Sequence, residues 1–224
     1  MGNPKWVVQK VEAVGGVVYH DVTERRFAEK ALEGGVKGLI CVNNRAGGHA
    51  GTKVIEELFE ALKDFNVPLI CAGGIGGAAS FTRALRIGYD GVQMGTRFIA
   101  SNECRANSEY KKAIVSSGEL DIVLTERLTG VPVSVIKTPY VEKIGTKAGP
   151  VARFLLSRQK TKHWMRLFYS LQSVWKLKRS LLKGSGYHSY FQAGKSVSEI
   201  SKILPVKSIM EELKKAYLES VLPK

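Results

Sequence analysis

The chain has 224 residues, of which 44% are hydrophobic and 24% charged, values that suit a soluble globular domain and exclude intrinsic disorder. No apolar run approaches the roughly 18 residues of a spanning helix, and Met1-Gly2-Asn3-Pro4-Lys5-Trp6 lacks an apolar signal core, so the expected location is cytoplasmic. The net charge of +14 is concentrated in a stretch without acidic residues between Glu142 and Glu199, which attracts polyanions in general and names no function for the whole.

Taken in chain order, the first half repeats one pattern: a short apolar β-rich run, a glycine-bearing loop, then an amphipathic helix. The spacing predicts strands over 16–20, 39–42, 68–72 and 91–94, and helices over 23–32, 54–65 and 78–87, with Thr23 as a helix cap. A further helix after Asn102 carries Tyr110, Ala113 and Ile114. Strands alternating with helices, and continuously apolar within themselves, point to a parallel sheet covered by helices. Beyond Gly118 the repeat ends. Residues 119–150 read as an irregular extension rich in Thr, Val, Gly and Pro. Residues 151–183 read as a packed helical segment with a cationic outer face, since Trp164, Leu167, Phe168, Leu171 and Trp175 recur at helical intervals. Gly184-Ser185-Gly186 is a break, and Ile209–Leu222 a closing helix. Three widely spaced cysteines, Cys41, Cys71 and Cys104, read as reduced, and no C-x-x-C pair or histidine cluster suggests a metal site.

Three loops carry the chemistry. Asn43-Asn44-Arg45-Ala46-Gly47-Gly48-His49-Ala50-Gly51 joins a strand to a helix, and its glycines let backbone approach a flat ligand closely. Ala72-Gly73-Gly74-Ile75-Gly76-Gly77 follows the next strand and opens a helix, where backbone amides and the helix dipole favour an anion. Met94-Gly95-Thr96-Arg97-Phe98 follows the last strand and adds a hydroxyl and a guanidinium. Glycine loops after the last two strands are where a (β/α)8 barrel binds phosphate, whereas a doubly wound sheet uses the loop after its first strand. The barrel is therefore the expected architecture.

In that order and spacing, Ala46-Gly47-Gly48-His49-x-Gly51, Ala72-Gly73-Gly74-Ile75 and Gln93-Met94-Gly95-Thr96-Arg97-Phe98 resemble the nitronate monooxygenases, formerly 2-nitropropane dioxygenases. The related FMN-dependent enoyl-acyl-carrier-protein reductases share the signatures. The resemblance covers residues 5–115, with a weaker echo at Phe191-Gln192-Ala193-Gly194-Lys195. It implies an FMN enzyme in which Gly47, Gly48, Ala72, Gly73, Gly74, Gly95 and Thr96 bind the cofactor. His49 would be the catalytic residue, managing a proton at the substrate carbon, and dioxygen would reoxidise the flavin. Arg45 departs from the family, which commonly has an acidic residue before Ala-Gly-Gly-His.

The expected organisation is a TIM-barrel type α/β fold represented by its C-terminal half, about four βα units over 1–118, followed by an irregular and basic helical extension over 119–224. The leading expectation is oxidation of alkyl nitronates, with an enoyl-thioester reductase and a non-catalytic polyanion-binding protein as alternatives. The expected partners are a small-molecule substrate and dioxygen, with no specific nucleic acid and no membrane span. A homo-oligomer is left open.

Overall fold

The apolar runs become strands because alternate residues of each are taken up by a helical layer. In the computed structural model, residues 4–128, 131–147 and 190–221 are described. They include strands β1 (Tyr19–Val22), β2 (Gly38–Val42), β3 (Leu69–Ala72) and β4 (Gly91–Gln93), joined in one parallel sheet of order β1-β2-β3-β4. Register aligns Val22, Cys41, Cys71 and Val92 across all four strands. This row, with Leu39 and Leu69, packs against Val8 of α1 (Lys5–Glu12), Ala28 and Ala31 of α2 (Arg25–Glu33), Leu58 of α3 (Ile55–Glu60) and Ala84 of α4 (Ala78–Ile87). Leu58 is fully buried, and truncating such a leucine to alanine costs about 2–5 kcal/mol. Burial pushes the thiols of Cys41 and Cys71 up to about 12, so both stay protonated as small hydrophobes, as the sequence suggested.

The chain divides into two compact units. The first comprises residues 1–46, 50–94 and 211–224, and the second residues 47–49 and 95–210. The second contains α5 (Thr96–Ile99), α6 (Ser108–Ser116), an antiparallel pair of β5 (Ile122–Thr125) and β6 (Val133–Ile136), and α7 (Pro139–Ile144). Two cores hold it together. Tyr110, Ile114, Ile136, Phe191, Ala193, Val197 and Ile200 form one, and Leu128, Val133, Val135, Val141 and Tyr190 the other. A final helix, α8 (Val206–Val221), closes the described chain.

Several expectations need correction. Residues 119–128 and 131–147 are not irregular: the Thr- and Val-rich composition marks an antiparallel strand pair in which β6 is buried along its whole length while Leu124 of β5 stays exposed. Thr23 does not cap α2, which starts at Arg25 after Glu24 with no side-chain cap. The helix predicted over 54–65 stops at Glu60 and continues only as a 3-10 turn at Lys63–Phe65, ending at Asn66 in a left-handed conformation (φ 53°). The strand predicted over 16–20 begins at Tyr19, and α1 and α5 went unanticipated. The predicted helical segment 151–183 and the break at 184–186 lie outside the described residues. Among the described residues no helix is long and apolar enough to cross a membrane.

The opposite face of the parallel sheet, where Asp21, Ile40, Ile70 and Gly91 align and Gln93 ends β4, stays partly open, and among the described residues β1 has no second neighbour. Nearby in sequence, Trp6 (67% exposed), Val14 (84%) and Val17 (66%) present apolar surface. Open edges and apolar patches promote association. The chain of residues 1–224 is therefore expected to self-associate with rising concentration in sedimentation velocity. Trp6→Lys with Val17→Lys should shift it towards monomer, and a concentration-independent wild-type monomer would refute this.

Candidate functional site

Asn43 follows β2 directly, and its side chain is completely buried. A buried carboxamide must pair both its oxygen and its amine. Its Oδ1 accepts from Arg45 N at 2.8 Å, and its Nδ2 donates to Gly73 O at 2.9 Å and lies 3.8 Å from Cys71 Sγ. Its backbone N–H donates to Ala72 O (3.0 Å), and its carbonyl accepts from Ala46 N (3.3 Å) and Gly51 N (3.2 Å). One residue thus curls the loop after β2 upon itself and ties it to the turn after β3.

That packing explains Gly73. Its φ is 112°, and a Cβ there would stand 2.5 Å from Asn43 Oδ1 and 2.7 Å from Ala46 N. The glycine is required by the protein's own chain, whereas the sequence suggested only approach to a ligand. Arg45 lies over Gly74, with Nε 2.8 Å from the position of an added Cβ. Ala72 is buried at the end of β3.

The middle of the same loop, Gly47–His49, belongs to the second unit. Gly48 forms an antiparallel bridge with Ser134, its N–H donating to Ser134 O (3.4 Å) and its carbonyl accepting from Ser134 N (2.8 Å). Gly47 lies flat against Ala193-Gly194. A Cβ at 47 would come within 2.8 Å of Gly194 N and 2.9 Å of the Ala193 carbonyl carbon, so no larger residue enters without displacing backbone. Gly194 N–H in turn donates to the buried Thr96 hydroxyl at 3.1 Å, which leaves the hydroxyl its own proton to donate elsewhere. His49 retains solvent access, yet the surrounding protein desolvates its ring enough to lower its pKa from the ordinary value of 6.5. A neutral imidazole at neutral pH can take a proton.

Gly95 is exposed, and an added Cβ would meet nothing within 4 Å. Arg97 differs from expectation. Its guanidinium is buried and donates to Ala100 O and Lys202 O, both at 2.7 Å, so it anchors the C-terminal segment and is not a free cation beside Gly95. Sequence reasoning gave no role to Asn43, Ser134 or Gln192. The signal for Ala193-Gly194 was the faint glycine echo at 191–195. No group of three or more metal-ligating side chains occurs among the described residues.

The family model for nitronate monooxygenase matches residues 1–216. The chain belongs to the nitronate monooxygenase family. Its members are flavin-dependent oxidoreductases and monooxygenases. The chain is 30% identical over 139 residues to a probable nitronate monooxygenase of Staphylococcus saprophyticus, covering 57% of this chain and 39% of that protein. It is 28% identical over 142 residues to a (3aS,4S,5R,7aS)-5-hydroxy-7a-methyl-1-oxo-octahydro-1H-indene-4-carboxyl-CoA dehydrogenase of Mycobacterium tuberculosis, covering 62% and 40%. Among solved structures, FabK from Thermotoga maritima superposes with a TM-score of 0.80 at 28% identity, over 99% of this chain and 67% of that one. The chain thus spans about 40% of the length of these two curated relatives. Its α/β fold with a parallel sheet matches the TIM-barrel proteins of the family.

Asn43→Ala would strand Arg45 N–H and Gly73 C=O in a buried place, each at about 1–3 kcal/mol. The variant is expected to lose about 2–6 kcal/mol of stability by that reckoning, read as a lowered urea midpoint. A midpoint equal to wild type would show that the two turns do not depend on this side chain.

Proposed function

We propose that this chain carries the proton-handling histidine and part of the FMN site of a flavin-dependent oxidoreductase acting on alkyl nitronates, with dioxygen as the electron acceptor. The observation that carries the reading is the fixed Gly47-Gly48-His49 backbone. Ser134 holds Gly48 and Gly194 lies against Gly47, so the histidine follows a backbone that its own unit fixes from two sides. In the second unit the open space at Gly95 and the spare proton of Thr96 fit an anionic oxygen such as a cofactor phosphate. Gly47 and Gly48 would lie near the flavin ring in that unit, while in the first unit Ala72, Gly73 and Gly74 form the glycine turn after β3 that the family resemblance assigns to the cofactor. When bound, FMN supplies the redox chemistry. The chain's own contribution is then to orient the substrate carbon beside His49 and to hold a proton at the imidazole nitrogen facing it.

A second reading, reduction of an enoyl thioester with a nicotinamide cofactor, is favoured by the FabK superposition and by the relative whose named substrate is a CoA thioester. Anaerobic flavin reduction separates the two. Bleaching by nitronate alone supports the first. Bleaching by NADH followed by reoxidation with an enoyl thioester supports the second.

His49→Asn should retain FMN and lose at least about tenfold in rate, acid–base catalysis contributing about 100-fold or more. Unchanged turnover would remove the histidine from the mechanism. Because desolvation lowers its pKa, His49 stays neutral to a lower pH than a free imidazole, so the acid limb of kcat/KM should fall below 6.5. A limb above that value would contradict the role. Gly95→Asp is expected to release FMN while leaving the circular dichroism unchanged, because the side chain has room in the protein but repels phosphate. Gly73→Asp could not make this test, since Asn43 and Ala46 fill the space.

A further inference from the structure

In the segment from Tyr190 to Gly194 every residue is buried except Gln192. The backbone around it is held from several sides. Phe191 O accepts from Ile136 N at 2.8 Å, and the Phe191 ring stacks on Tyr110 with centroids 4.7 Å apart and planes 10° from parallel. The Tyr110 hydroxyl donates to Gln192 O, Val135 bridges Gln192, and Gly194 is tied to Thr96. From this rigid base the side chain extends to the His49 loop, with Oε1 3.5 Å from the position a Cβ would take on Gly48. Tyr110 and Phe191 account for the backbone, but none of these contacts requires a carboxamide at the end of the side chain.

We propose that the Gln192 amide forms one wall of the His49 site and donates a hydrogen bond to the substrate's polar oxygen, which makes it a specificity-determining residue for the head group. This rests on the reading of His49 as the proton-handling residue. Both candidate substrate classes carry an oxygen acceptor next to the reacting carbon, a nitronate oxygen in one and a thioester carbonyl in the other. A nitronate already carries its negative charge on that oxygen when it binds, and hydride addition to an enoyl thioester moves charge onto the carbonyl oxygen. A neutral amide suits the position, because its two N–H donors stabilise the charge without forcing a proton onto the imidazole, as a carboxylate would. Half a turn of the amide exchanges Oε1 and Nε2 in space. On neighbouring segments of the same unit, Lys195 is paired with Glu119 at 3.3 Å, and Tyr110 is kept neutral by burial.

The test uses the 224-residue chain with Gln192→Glu and Gln192→Met, which preserve side-chain length at a partly exposed position. His49→Asn identifies the His49 signal in proton NMR. The first arm titrates that imidazole and needs neither flavin nor turnover. Gln192→Glu should raise the His49 pKa by at least about half a unit, since a nearby carboxylate favours imidazolium, while Gln192→Met leaves it in place. An unmoved pKa in the Glu variant overturns the juxtaposition. The second arm measures turnover with whichever substrate class bleaches the flavin. Gln192→Met should raise KM about tenfold, the loss of one hydrogen bond to a charged acceptor, with kcat within about twofold and FMN retained. KM equal to wild type overturns the substrate contact even if the titration succeeds. A wild-type chain that binds FMN yet turns over neither substrate class sinks the functional reading and the substrate role of Gln192 with it. The titration still shows separately whether Gln192 faces His49.

Discussion

The pairing of one buried carboxamide governs the loops that the family signature occupies. Asn43 is fully enclosed, and each polar atom of its side chain is answered by backbone from a different turn. An unpaired amide in that position would cost more than most single contacts return. The loop after β2 and the turn after β3 are therefore fixed together. The glycine at 73 follows from that arrangement, because the carboxamide oxygen occupies the space beside it.

Much of the first unit was legible because its signals are local. The helix over 78–87 falls where the pattern put it, bounded by Gly77 and Gly88. The strands at 39–42 and 68–72 shift by a residue at most, since β-branched and apolar residues between loops have few alternatives. The failures have physical reasons too. In Val133–Ile136 even Ser134 is buried, so the strand lacks the polar-out, apolar-in alternation of a half-exposed strand and gives little local signal. Thr23 has the chemistry of a cap, but Glu24, still extended, takes the cap position one residue later and the helix begins at Arg25.

The candidate site divides in the same way. His49 and its glycines stand out in the sequence because nothing else in the chain has that composition. Their supports do not, because Ser134, Gln192 and Gly194 reach the loop only through long-range contacts. Arg97 shows the opposite error. Beside a glycine and a threonine it reads as an anion-binding cation, but its burial among Ala100 and Lys202 carbonyls makes it an anchor for the C-terminal segment. Residue type suggests what a side chain can do, while burial and partners decide which of those things remains open to it.

The contact between Gly47 and Ala193-Gly194 also sets an order of events during synthesis. The histidine loop leaves the ribosome long before the segment that presses against it, and at roughly 5–20 residues per second the interval is about 7–30 s. Throughout that time the loop lacks one of its walls, and closing so long a span of chain carries an entropic cost that only the finished core repays. The nascent chain thus keeps the loop of Gly47, Gly48 and His49 in an unformed setting until Ala193 and Gly194 have been made and have folded back against it, so the shape of that loop depends on a stretch of chain synthesised long after it.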